Sequence, residues 1–214
     1  MVSINILHPG MIFIIGAFLI PILKGNLRRI YLLFIPSFAF LNLLYMQKGI
    51  YWTYRFLDYD IVFGRIDTIS LCFAYVFLIF AFLGIIYALH LKENGQHIAA
   101  FIYIGSSLGV VFSGDLLSLF IFWEIMALSS VFLIWYQKER KSLDAGFRYL
   151  LVHAFGGSCL FAGIIIHLVN TNSIIFDYIG LNGLDSFLIL IGFLLNAAVP
   201  PLHAWLSDAY PEAT

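Results

Sequence analysis

The chain has 214 residues, of which 62% are apolar and 11% charged, with a net charge of −1 and a mean hydropathy of +0.98. A soluble domain carries roughly 25% charged residues, so this composition excludes one and points to a chain that covers itself with lipid. The near-neutral charge argues against a nucleic-acid partner.

A helix needs roughly 20 apolar residues to span the hydrocarbon. Seven candidates follow in order: 11–23 with an uncharged lead-in, 30–46, 66–89, 98–113, 116–136, 149–169 and 187–199. No charge precedes Lys24, and the basic start and cleavage site of a signal peptide are missing, so the first helix is expected to be retained. Between the second and third helices, 47–65 holds Tyr51, Trp52, Tyr54 and Tyr59 among charges. It reads as an external hairpin or loop with interfacial aromatics. The fold class expected is an all-α membrane protein of about seven transmembrane helices.

Orientation follows from the basic residues. The connections after helices one, three and five hold Lys24, Arg28, Arg29, Lys92, Lys138, Arg140, Lys141 and Arg148, which is eight of the eleven Lys and Arg. The positive-inside bias places those connections, including 137–148, in the cytoplasm and the N-terminus outside.

Few residues inside the spans carry chemistry. Glu124 stands between Phe120-Ile121-Phe122-Trp123 and Ile125-Met126-Ala127-Leu128. It lies on the order of 12–15 Å from either end of its helix, where a carboxylate costs at least ~2.5 kcal/mol to insert. A buried carboxyl whose ionisation answers to a neighbouring charge is what a proton relay needs; the plain alternative is a structural carboxyl bonded to another helix. His153 and His167 are fourteen residues apart on the sixth helix, and fourteen steps of about 100° return them to one face. Gly156, Gly157 and Leu160 share it, and the glycines permit close packing. His153 is either a proton carrier or a hydrogen-bonded core histidine; His167 is expected at the outer interface. Cys72 and Cys159 fall inside apolar runs, so neither a disulfide nor a zinc site is expected, and no cofactor or metal ligand set is present.

The segment from Asn196 through Pro200 and Pro201 to Glu212 is the most unusual. Two successive prolines should break the seventh helix. Broken backbone at membrane depth is tolerated only inside protein or beside a water-filled cavity, and such breaks often build ion sites. The alternative is a helix that simply ends at Pro200.

Two strings then carry a resemblance: Gly-Asp-Leu-Leu-Ser-Leu-Phe-Ile-Phe-Trp-Glu, ending at Glu124, and Pro-Leu-His-Ala-Trp-Leu-Ser-Asp-Ala, from Pro201 to Ala209. Arg65-Ile-Asp-Thr-Ile-Ser and Arg148-Tyr-Leu-Leu-Val-His agree with them. The chain resembles the proton-translocating antiporter-like subunits shared by respiratory complex I and Mrp-type sodium/proton antiporters, and is most similar to the D-type Mrp proteins. That resemblance implies about fourteen helices with two inverted five-helix repeats, each containing a broken helix, and a fifth-helix glutamate coupled to a seventh-helix lysine. Glu124 matches the glutamate, and His203 and Asp208 match the seventh-helix motif. The lysine position holds Asn196, which carries no charge.

The expectation is therefore an N-terminal three-helix region, 1–97, followed at 98–214 by the start of an antiporter-like domain. The chain would be the N-terminal portion of a split or truncated subunit of a sodium/proton antiporter in a bacterial inner membrane. Its partners would be other membrane subunits, with a separate polypeptide supplying helices 8–14. A proton-pumping subunit of an NADH:quinone oxidoreductase and a non-transporting remnant or assembly element are the alternatives.

Overall fold

A computed structural model describes residues 7–213. Helix α1 (Pro9–Ala17) leads into a 3-10 turn at Ile20–Ile22, and α2 (Gly25–Leu44) follows. Strands β1 (Gly49–Phe56) and β2 (Tyr59–Ile66) pair antiparallel as a hairpin. The rest is helical: α3 (Thr68–Ala88), α4 (Asn94–Phe112), α5 (Leu116–Trp135), α6 (Arg140–Thr171), α7 (Leu184–Asn196) and the short α8 (Ala204–Ala209). Helices α2 to α6 are each long and apolar enough to cross a membrane. Helices α1 and α7 are apolar but shorter; the 13 residues of α7 rise only about 20 Å, less than the ~30 Å hydrocarbon. Large apolar side chains such as Phe80, Leu151 and Val169 are exposed on the outside of the bundle, as lipid-facing residues of an integral membrane protein are.

The expected hairpin is present, and it is tied down at one end of the bundle. Asp115 holds it. This carboxylate is 1% exposed, caps α5 by accepting from the amides of Leu117 (2.9 Å) and Ser118 (2.8 Å), and accepts from Val62 of β2 at 2.7 Å. The same end gathers the 172–183 loop, where Leu116 donates to the Ile174 carbonyl, Tyr59 to Asn172 and Arg65 to the Phe176 carbonyl. His8, the cap of α1, contacts the Phe63 carbonyl there through its Nε2. At the start of α3, Asp67 and Ser70 form a reciprocal capping box; the hydrogen bond from the Ser70 amide holds the Asp67 carboxyl below the usual range. The opposite end carries the connections 89–93 and 136–139, joined by an ion pair between Lys138 and Glu93. The basic residues counted above cluster at this end, which is called the basic end below.

One boundary differs from the sequence expectation. Helix α6 starts at Arg140, nine residues before the apolar run at 149. Along this first stretch Ser142, Ala145 and Gly146 are buried while Arg140, Lys141, Asp144 and Arg148 are exposed. An apolar-length criterion finds only the part of a helix that lies in hydrocarbon, whereas this amphipathic stretch packs on protein and faces water. The expected connection 137–148 is therefore mostly helix.

Packing relies on small residues. A Cβ placed on Gly10 of α1 would stand 2.3 Å from the carbonyl oxygen of Gly105 on α4, so the two backbones touch as glycine pairs allow.

Two outcomes are expected. In a background lacking Cys72 and Cys159, Tyr178→Cys and Lys141→Cys should react with an impermeant maleimide from opposite sides of the membrane; labelling of both from one side would reject the arrangement. Asp115→Ala removes a helix cap and leaves the Val62 amide unpartnered, a loss of about 2 kcal/mol or more, which should lower the unfolding midpoint and expose the hairpin to protease.

Candidate functional site

Glu124 lies midway along α5, and its carboxyl rests on a glycine of α6. A Cβ at Gly157 would fall 2.1 Å from Glu124 Oε1, so no residue with a side chain fits there unless the carboxyl moves. Oε1 is buried, and no protein group hydrogen-bonds it. One turn away on the same face of α6, about 6 Å along the axis, stands His153, which is 5% exposed. Its Nδ1 lies 3.0 Å from the Tyr149 carbonyl, while its Nε2 is buried without a hydrogen-bond partner. The imidazole stacks on Tyr149 with centroids 3.8 Å apart and meets the edge of Trp205 at 4.5 Å. The Tyr149 hydroxyl in turn shares a 2.6 Å hydrogen bond with Ser130 of α5. The side chain of Asn196, at the end of α7, faces His153.

The break after Asn196 keeps its backbone satisfied. The amides of Ala197, Ala198 and Val199 donate to the carbonyls of Phe193, Leu195 and Leu194, and Trp205 Nε1 donates to the Leu195 carbonyl at 2.9 Å. Those are the acceptors a helix end would otherwise leave open. Pro200 and Pro201 lie in the exposed turn that follows. Trp205 therefore fastens α8 to α7 and walls the His153 ring at once.

The seventh-helix motif residues are not gathered with Glu124. Asp208 pairs with Arg148 through two contacts. Arg148 is nine residues before Gly157, on the order of 14 Å down α6 toward the basic end. His203 is exposed, and its side chain makes no hydrogen bond among the described residues. His167 stands about one turn from the outer end of α6, part-buried, and lies 2.9 Å from Asp185, the one acid in the first turn of α7. Sequence reasoning passed over Asp185, although an acid opening an apolar helix is a signal that it has a partner. The apolar residues Leu116, Leu119, Leu160, Ile164 and Ile189 fill the space between the His167–Asp185 pair and Glu124. No cluster of metal-ligand residues occurs among the described residues.

Comparison with known proteins decides the family likeness. Residues 113–214 match the NADH:quinone oxidoreductase/Mrp antiporter transmembrane family. That stretch begins at the link carrying Asp115 and takes in α5 to α8, so all of the antiporter-family match falls on the helices around Glu124. The chain is 27% identical to the Na(+)/H(+) antiporter subunit A1 of Staphylococcus aureus, over 98% of this chain and 30% of the relative. Its fold matches a chain of an archaeal respiratory membrane complex, the membrane-bound sulfane sulfur reductase, with a TM-score of 0.82 at 21% identity, covering 96% of this chain and 47% of the other. It also matches a chain of respiratory complex I from Thermus thermophilus, with a TM-score of 0.78 at 18% identity over 94% and 47%. The chain thus spans less than half the length of these relatives. The antiporter-like likeness read from the two motifs is borne out; the curated relative is a subunit A1.

Gly157→Ala is expected to push the Glu124 carboxyl off α6. The carboxyl infrared band that disappears in Glu124→Gln should shift in Gly157→Ala, and an unmoved band would mean that the carboxyl does not rest on this glycine.

Proposed function

We propose that the chain contributes a proton path to a monovalent cation/proton antiporter of the Mrp kind, as part of a subunit of A or D type. The observation that carries this is Glu124 Oε1, a buried carboxyl oxygen that no protein group satisfies, set against the face of α6 that carries His153. Buried polar groups without protein partners take up ordered water. Glu124, which rests on Gly157, and His153, one turn from that glycine on α6, would then exchange a proton through water, the carboxyl as carrier and the imidazole as acceptor. In this reading His153 stands in for the family lysine, whose place is held by the neutral Asn196. Asn196 positions the imidazole, and the Arg148–Asp208 pair holds the broken segment at the basic end. His203 would face water at that end.

The basic end faces the cytoplasm of a bacterial cell and the N-terminus lies outside, since the connections there hold most of the Lys and Arg. Transport belongs to an assembly with other membrane subunits and the remaining helices of the antiporter-like fold, whether in one polypeptide or two. The structural likeness to two respiratory complexes favours, as a second reading, a proton-pumping subunit of such a complex; a non-transporting element is the third, favoured by Asn196.

In the assembled complex, Glu124→Gln is expected to lower proton-coupled sodium transport by about tenfold or more, as loss of a proton-transfer group does, with insertion intact. Asn196→Lys, which restores a cation beside His153, should raise exchange. Unchanged transport in Glu124→Gln would favour the non-transporting element, and proton pumping without sodium dependence would favour the respiratory reading.

A further inference from the structure

A well-formed cavity lies away from Glu124. It is a groove of about 750 Å³ between the halves of α3 and α4 nearer the basic end, with Leu133 of α5 and Gln137 of the following connection behind it. Its α3 wall runs from Phe77 to Ala88, on the order of 16 Å at the helical rise, which is about half of the ~30 Å hydrocarbon thickness. The groove is one leaflet deep.

Its length is lined by apolar residues, among them Ala81, Ile85, Phe101 and Ile104, while Tyr87, His90, Gln96 and Gln137 stand at the mouth. Gln96 Oε1 is buried there without a protein partner. The two connections at this end, 89–93 and 136–139, are together neutral, with Lys92 and Lys138 against Glu93 and Glu139, and Arg28 of α2 adds a positive charge beside them. Lys138 is neutralised by Glu93, but Arg28 donates only to the carbonyls of Lys92 and Leu91 and to Asn94, and no carboxylate pairs with Arg28 or Lys92 among the described residues. Basic pockets between membrane helices attract anionic lipid headgroups.

We propose that this groove binds one acyl chain of an anionic glycerophospholipid from the leaflet at the basic end, with its phosphate held by Arg28 and Lys92. Charge favours this occupant over an apolar protein helix, because Arg28 and Lys92 beside the groove have no carboxylate partner among the described residues and match an anionic headgroup, while a flexible acyl chain bends to the apolar wall.

Gly84 supplies the test, because it lines the groove and a Cβ added to it meets nothing within 4 Å. Gly84→Leu therefore fills the groove without disturbing a packed contact. The measurement is electron paramagnetic resonance of chain-labelled phosphatidylglycerol, or of labelled phosphatidylcholine for comparison, in phosphatidylcholine vesicles holding the full chain. The motionally restricted fraction is expected to favour phosphatidylglycerol by about twofold or more. Gly84→Leu should remove about one restricted lipid per protein, whereas Leu83→Phe, on the exposed face outside the groove, should not. Lys92→Gln leaves the groove's shape alone and should weaken the headgroup preference. The proposal is overturned if Gly84→Leu and the parent restrict equal amounts of lipid, if no headgroup preference is seen, or if Gly84→Cys cross-links to a neighbouring protein helix.

Discussion

Apolar surroundings leave polar groups inside the bundle with nothing to bond except each other. The broken helix depends on this constraint most directly. The carbonyls at the end of α7 are met by the following amides and by the indole of Trp205; otherwise a helix end placed there would cost several kcal/mol for each open group. Trp205 has a second consequence, because the ring that closes the helix end also forms one wall of the His153 pocket. The break and the candidate proton site are therefore one piece of packing. At mid-depth in the bundle, Glu124 Oε1 is bonding capacity that the protein does not use itself.

The two ends of the bundle are held differently. At the hairpin end a buried carboxylate, Asp115, joins β2 to the start of α5 through three neutral amide donors. At the basic end the ties are exposed ion pairs, Lys138 with Glu93 and Arg148 with Asp208, and exposed pairs contribute only about 0–1 kcal/mol each. The apolar packing of Leu160, Ile164 and Ile189 separates the His167–Asp185 pair from the midplane.

Much of the fold was legible in the sequence. Lipid rewards apolar surface directly, so a run such as 116–136 announces a helix with no knowledge of its neighbours, and the structure places α5 at Leu116–Trp135. Glu124 was legible for the same reason, since a charge in such a run is conspicuous. The start of α6 was not, because residues 140–148 owe their helix to packing against Trp135 rather than to hydropathy. Nor was the separation of the motif residues: Pro201 to Ala209 reads as one unit, yet its Asp208 turns to Arg148 while its Trp205 turns to the helix end.

The sequence by itself determined that this is a helical membrane chain, where most of its helices lie, and that Glu124, His153 and the proline pair are its unusual features, because the cost of burying charge or breaking a helix in lipid is local to each residue. Which groups meet was decided only by the tertiary structure. Glu124 rests on Gly157, His153 faces Asn196, and His167 finds Asp185, because those contacts depend on how close α5, α6 and α7 approach. That approach is set by the absence of a side chain at positions such as Gly157, and no periodicity along one helix specifies the partner that will fill the space.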